Sequence, residues 1–122
     1  MLSDSLSLQE KINKLVLLYK KGLFKEALLE AKLLVKKNPN ISIIHYIYGV
    51  INLALEKWEN SIDCFSKAIS IEPTYAEAYY NLGIAQDHLE QMEEAVKSYT
   101  MAVEIKSDLV RAHEALKTRT QT

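Results

Sequence analysis

The residues of this chain whose types could do chemistry are three histidines, one cysteine and the acids beside them. His45 and His113 stand 68 positions apart, too regular a spacing to ignore. Asp87, His88 and Glu90 are near neighbours. On a helix, side chains share a face at i+3 and i+4, so this run does not gather three metal ligands on one side. Cys64 follows Asp63, whose charge raises a thiol pKa rather than lowering it, the opposite of what a nucleophile needs. A lone cysteine also excludes an internal disulfide and the common zinc spacings. Gly-rich phosphate loops, metal-binding histidine pairs and hydrolase elbows are missing from the sequence. The expectation is therefore no enzyme, no metal and no cofactor. His45 and His113 read as structural imidazoles, and Cys64 as a small buried hydrophobe.

What elements would position such residues? The 122 residues suffice for one domain with a core of its own. Three Gly and two Pro leave little turn chemistry for a many-stranded sheet. Leu, Ala, Glu, Lys and Ile dominate and favour helix. A net charge of −1 gives no overall attraction for nucleic acid. No stretch approaches the length of a membrane span. The amino terminus has no basic region leading into an apolar run, so a secretory leader is not expected and the default compartment is cytoplasmic.

Columns of residues recur with a period of 34. Pro39, Pro73 and Ser107 form one. Ala27, Ser61 and Ala95 form another, all small. Phe24, Trp58 and Met92 are all large and apolar. Ala31, Phe65 and Tyr99 share a column, as do Leu34, Ala68 and Ala102. Gly49 and Gly83 share one with Leu15, and His45, Tyr79 and His113 share another. Within each period two helical stripes can be read; Tyr79, Leu82, Gly83 and Gln86 mark one face of the first helix in the third copy. The spacing predicts helices over 8–21, 25–37, 42–55, 58–71, 76–89, 92–105 and 109–118, with fraying from Thr118. Proline after the second helix of a unit stops it.

A large residue, Leu-Gly, a small residue, an aromatic, Ala and a closing Pro at this period resemble the tetratricopeptide repeat. The third unit carries the pattern most fully in Tyr79, Leu82, Gly83, Ala95, Tyr99 and Ala102. The second keeps Gly49, Ser61, Phe65, Ala68 and Pro73. The first keeps Gly22, Ala27 and Pro39 but has Lys14-Leu15 in place of Leu-Gly. The resemblance implies an all-α fold: a right-handed α-solenoid of three helix–turn–helix repeats, about 8–41, 42–75 and 76–109. A capping helix at about 109–118 completes the single domain, 1–122.

Gly83 is costly inside a helix, by about 1 kcal/mol relative to alanine. It is expected where two helices approach closely, with Ala95 and Ala102 as the opposing surface and Tyr99 beside the contact. The first unit reverses the volumes, with large Leu15 and small Ala31, an exchange that cores tolerate. Glu56 and Glu90 stand in the column of the turn residue Gly22, and the sequence leaves open whether all three turns are alike.

By the resemblance, the first helix of each unit lines a concave groove. The implied partner-binding positions are Ile12, Asn13, Val16 and Tyr19; then Ile43, Tyr46, Ile47, Val50 and Leu53; then Glu77, Tyr80, Asn81, Ile84, Asp87 and His88. The middle set is apolar enough to mark an interface, and equally able to fill space between units. One subclass of such proteins grips a terminal carboxylate with lysines, asparagines and arginine. The matching positions here are Ile12, Val16, Ile47, Glu77 and Asn81, which disfavours that function. Another holds peptide backbone with an asparagine ladder; Asn13 and Asn81 suit it and Ile47 interrupts it.

The leading expectation is a protein–protein interaction module that binds a protein or peptide through the concave face. The alternatives are a self-assembling scaffold, hence a homo-oligomer, or the non-catalytic arm of a larger enzyme such as a glycosyltransferase. Residues 1–40 carry eight Lys against four acids, and residues 76–107 two Lys against six. That asymmetry suits solvated helix faces or head-to-tail contact. No nucleic-acid or membrane partner is expected.

Overall fold

The computed structural model describes residues 6–120, which form seven helices. They are α1 (Leu8–Lys20), α2 (Phe24–Lys37), α3 (Ser42–Ala54), α4 (Trp58–Ile71), α5 (Ala76–His88), α6 (Met92–Ile105) and α7 (Val110–Thr120). Each helix packs on the one before it and the one after, so the chain is an α-solenoid of three hairpins with α7 across its end. Helix α7 runs past the expected fraying point and keeps Thr118 to Thr120 helical; Gln121 and Thr122 lie outside the described residues.

Local chemistry sets the helix ends. Ser7 begins α1 with a capping box. Its hydroxyl accepts from the Glu10 amide at 3.1 Å, and the Glu10 carboxylate accepts from the Ser7 amide at 3.2 Å. All three turns inside the hairpins are alike. Gly22, Glu56 and Glu90 take φ of 76°, 58° and 60°. The amides of Gly22, Glu56 and Glu90 donate to Tyr19, Leu53 and Asp87. Those of Leu23, Lys57 and Gln91 donate to Leu18, Asn52 and Gln86. This is the paired closure of a helix by a left-handed residue. Glycine adopts it without strain, whereas a glutamate has a Cβ too near the following carbonyl. Glu90→Gly should therefore stabilise the fold by about 0.5–1 kcal/mol, the relief being offset in part by a freer unfolded chain. Urea unfolding checks this; an unchanged or lowered midpoint would contradict the strain.

The repeat columns turn into buried layers. Ala27, Ser61 and Ala95 are fully covered, as are Ala31 and Phe65, and Tyr99 is nearly so. A second pair of columns faces the preceding unit: Ile44 and Ala78 with Ala112, and Ile51 with Ala85, are all fully buried. Their counterparts in the first unit, Glu10 and Leu17, are exposed, because no other described helix packs there. In α7 it is Ala112 that packs inward, while Val110 is exposed.

The glycines answer to the aromatic column rather than to the alanines. A Cβ on Gly83 would stand 2.6 Å from Cε1 of Tyr99, and one on Gly49 would stand 2.7 Å from Cε1 of Phe65. Each ring occupies the space that a side chain at the glycine would need. In the first unit Leu15 and Ala31 are both buried in the amino-terminal cluster, so the bulk comes from the first helix and the space from the second.

Candidate partner-binding face

Helices α1, α3 and α5 approach one another directly as well as through the second helices, which places them on the inner side of the curve. Their inward positions form the candidate site. Ile43 is exposed, and Tyr46, Ile47, Val50 and Leu53 are half-buried. Val16 and Tyr19 are half-buried, and Asn13 is exposed. From α5 come Glu77, Tyr80, Asn81, Ile84 and Asp87, all half-buried, with His88 exposed. Ile12 differs from this set; it is buried in the amino-terminal core cluster with Leu15 and Ile44.

Tyr46 sits at the centre. Its ring stacks on Tyr75 with centroids 4.8 Å apart and meets Phe65 at 5.8 Å. Its hydroxyl accepts a 2.9 Å hydrogen bond from the Asn81 amide, which also donates to the Glu77 carbonyl at 3.1 Å. Burial first, then the Glu77 charge, pushes the Tyr46 phenol above its ordinary value, so it stays neutral. With its amide hydrogens engaged in this way, Asn81 helps to fix the surface. Asn13 instead accepts from Gln9 at 2.9 Å. Glu77 pairs with Lys106 at 3.0 Å, and that hydrogen bond holds its carboxyl below the usual range. Both groups are well exposed, so the pair adds little stability.

Toward the carboxyl end the groove opens into a hollow of about 440 Å³ lined by Tyr80, Ile84, Asp87, His88, Tyr99, Ala115 and Arg119. Tyr99 donates to Asp87 Oδ2 at 2.6 Å, and the same oxygen pairs with the Arg119 guanidinium. The guanidinium also lies 5.3 Å over the Tyr99 ring. This trio ties α5, α6 and α7 together. His88 stacks flat on Trp58, with centroids 3.9 Å apart and an angle of 2°.

The sequence reading did not assign Tyr75, Trp58 or Arg119 to this surface. An aromatic at the start of α5 was the available signal for Tyr75. Trp58 was visible only as a packing column, and Arg119 lies beyond the repeat columns.

The remaining chemical candidates find structural places. The His45 ring nitrogen Nε2 is 2.8 Å from the Pro39 carbonyl, and that of His113 is 2.8 Å from the Ser107 carbonyl. Both imidazoles thus tie a helix to the loop six residues before it, at the same repeat position. Cys64 is buried and receives the Asn52 amide at 3.6 Å. Burial pushes its thiol up to about 12, which leaves it protonated and unreactive at neutral pH. Among the described residues no three His, Cys, Asp or Glu side chains gather as a metal site, and no helix is long and apolar enough to cross a membrane.

Comparison with known proteins agrees with this architecture. A profile for the TPR repeat matches residues 49–87, and one for the tetratricopeptide repeat matches 76–109. The chain belongs to the tetratricopeptide repeat family. Among curated relatives, this TPR chain is 39% identical over 64 residues to a peroxisomal targeting signal receptor of Candida albicans, covering 52% of the chain and 11% of the receptor. It is 29% identical over 86 residues to a probable UDP-N-acetylglucosamine–peptide N-acetylglucosaminyltransferase SEC of Arabidopsis thaliana, covering 70% of the chain and 9% of that protein. The TPR chain therefore spans about a tenth of the length of either relative. Among solved structures, the first TPR of Spaghetti (RPAP3), bound to the HSP90 peptide SRMEEVD, superposes with a TM-score of 0.89 at 21% identity, covering 93% of this chain and 90% of that one.

Proposed function

We propose that this TPR chain is a non-catalytic docking module that holds a peptide or partner surface against α1, α3 and α5. The observation that carries the proposal is the cluster of Ile43, Tyr46, Ile47, Val50 and Leu53 along the inner face of α3, exposed or half-buried in a curved surface. Apolar side chains left in contact with water at such density gain by being covered. Rigid tyrosines add area at small entropic cost.

The Spaghetti domain is a TPR with an acidic peptide bound. The present groove differs in chemistry from a site for such a tail. At the five positions that would hold a terminal carboxylate, Ile12 is buried, Val16 and Ile47 pack on the core, Glu77 is itself acidic, and the Asn81 amide is engaged. An apolar or aromatic segment suits this groove better than an acidic terminus. Ile47→Arg should abolish capture of a partner from native lysate while the helical circular dichroism persists and the melting midpoint falls only in part, since Ile47 also packs on the core. Capture that survives the substitution would remove the groove from the account.

A second reading makes the module an arm of a larger enzyme. It is favoured by the match to the Arabidopsis transferase, the longest among the curated relatives described. It leaves the role of the groove unchanged.

A further inference from the structure

The outer helices carry a pattern that the groove does not use. Lys25 and Lys36 on α2 occupy the same repeat positions as Glu93 and Glu104 on α6. All four are exposed, and none has an ion-pair partner within the chain among the described residues. Each pair spans eleven residues, about 16 Å along a helix. Between the charges lie exposed apolar side chains at matching depth: Leu33, 59% exposed, and Met101, 38% exposed. Leu29 beside Leu33 is 65% exposed. Whole-helix charge follows the same trend, with four lysines against two acids on α2 and three acids against one lysine on α6.

We propose that the outer face of α2 docks on the outer face of α6 of a second copy of this chain. The occupant is set by complementarity. The two faces have equal length and opposite charge at both ends. Leu29 and Leu33 lie at the centre of one, and Met101 lies beside the exposed Lys97 at the centre of the other, so antiparallel or parallel alignment pairs each terminal lysine with a glutamate. The intervening helix decides the symmetry. Helix α4 presents Glu59 and Asp63 against Lys67 on this side. A two-fold pairing through α4 would set acid against acid. The contact is therefore heterologous, head to tail, and propagates into longer assemblies. It is independent of the concave groove.

Sedimentation velocity at low salt over a concentration series tests this. Wild-type protein should grow in size with concentration and lose the effect as salt rises. K25E/K36E should weaken association by about tenfold, and E93K/E104K likewise. A mixture of the two variants should regain it, because the acidic α2 of one then meets the basic α6 of the other. Exposed positions leave the fold intact, which circular dichroism verifies; Ile47→Arg, in the groove, should associate as wild type. A monomer at the highest soluble concentration would overturn the proposal. So would self-association indifferent to both swaps, or a monomer whose basic α2 face binds anionic lipid vesicles instead.

Discussion

Phe65→Ala should destabilise the fold by about 3–5 kcal/mol, the usual loss for a fully buried aromatic. Phe65 has no exposed surface and fills the space left by Gly49. Gly49→Leu should cost about 1–3 kcal/mol by overpacking, since even its first carbon would meet the ring at 2.7 Å. The informative variant combines them. Leucine with alanine is the arrangement the first unit already has in Leu15 and Ala31, both buried. The double variant should therefore lose less than the sum of the singles, by 1 kcal/mol or more on the order of a contacting pair. Urea unfolding of the three proteins measures the coupling. Strict additivity would mean that the ring and the glycine do not share one volume.

Asp87→Ala should have the next largest effect, a loss of about 2–3 kcal/mol. The side chain is 12% exposed and accepts from Tyr99 while pairing with Arg119. Removing it from α5 strands a phenol on α6 and a guanidinium on α7. Burial, then Asp87 itself, raises the Tyr99 phenol above its ordinary value, so at neutral pH it remains a donor. Its donor would then lack its acceptor. Because Arg119 lies in the last turns of α7, the damage should spread there first. Amide exchange across residues 115–120 should accelerate in Asp87→Ala more than in α3 and α4. Asp87→Asn, which can still accept from Tyr99, should fall between the two. Equal exchange in every helix would show that the trio does not anchor α7.

The fold was open to sequence reasoning because the repeat writes the same packing requirement three times. Predicted spans differ from the observed helices by two residues at most, set by prolines and by the turns before Phe24, Trp58 and Met92. Less could be read where residue type conceals conformation. Glutamate gives no sign of a left-handed backbone, so Glu56 and Glu90 declare it only through the column they share with Gly22. The opposing surface of Gly83 was expected to be Ala95 and Ala102, yet the Tyr99 ring lies over it, because the small columns let the aromatic reach across.

The candidate face was legible at the level of which helices line it. Its cross-links were not. Tyr46 to Asn81 joins residues 35 apart, and Trp58 to His88 stacks α4 on α5. Such contacts depend on how far one unit rotates on the next, which no single unit encodes. Ile12 shows the same limit: a helix turned slightly about its axis exchanges a groove position for a core one.

The docking face itself is tested most directly by methyl NMR of the folded chain titrated with a captured partner segment. The expected result is large shifts at Ile43, Ile47, Val50 and Ile84, with Leu29, Leu33, Ile62 and Ile69 on the outer helices undisturbed. Shifts confined to those outer methyls, with the α3 and α5 methyls unmoved, would contradict it.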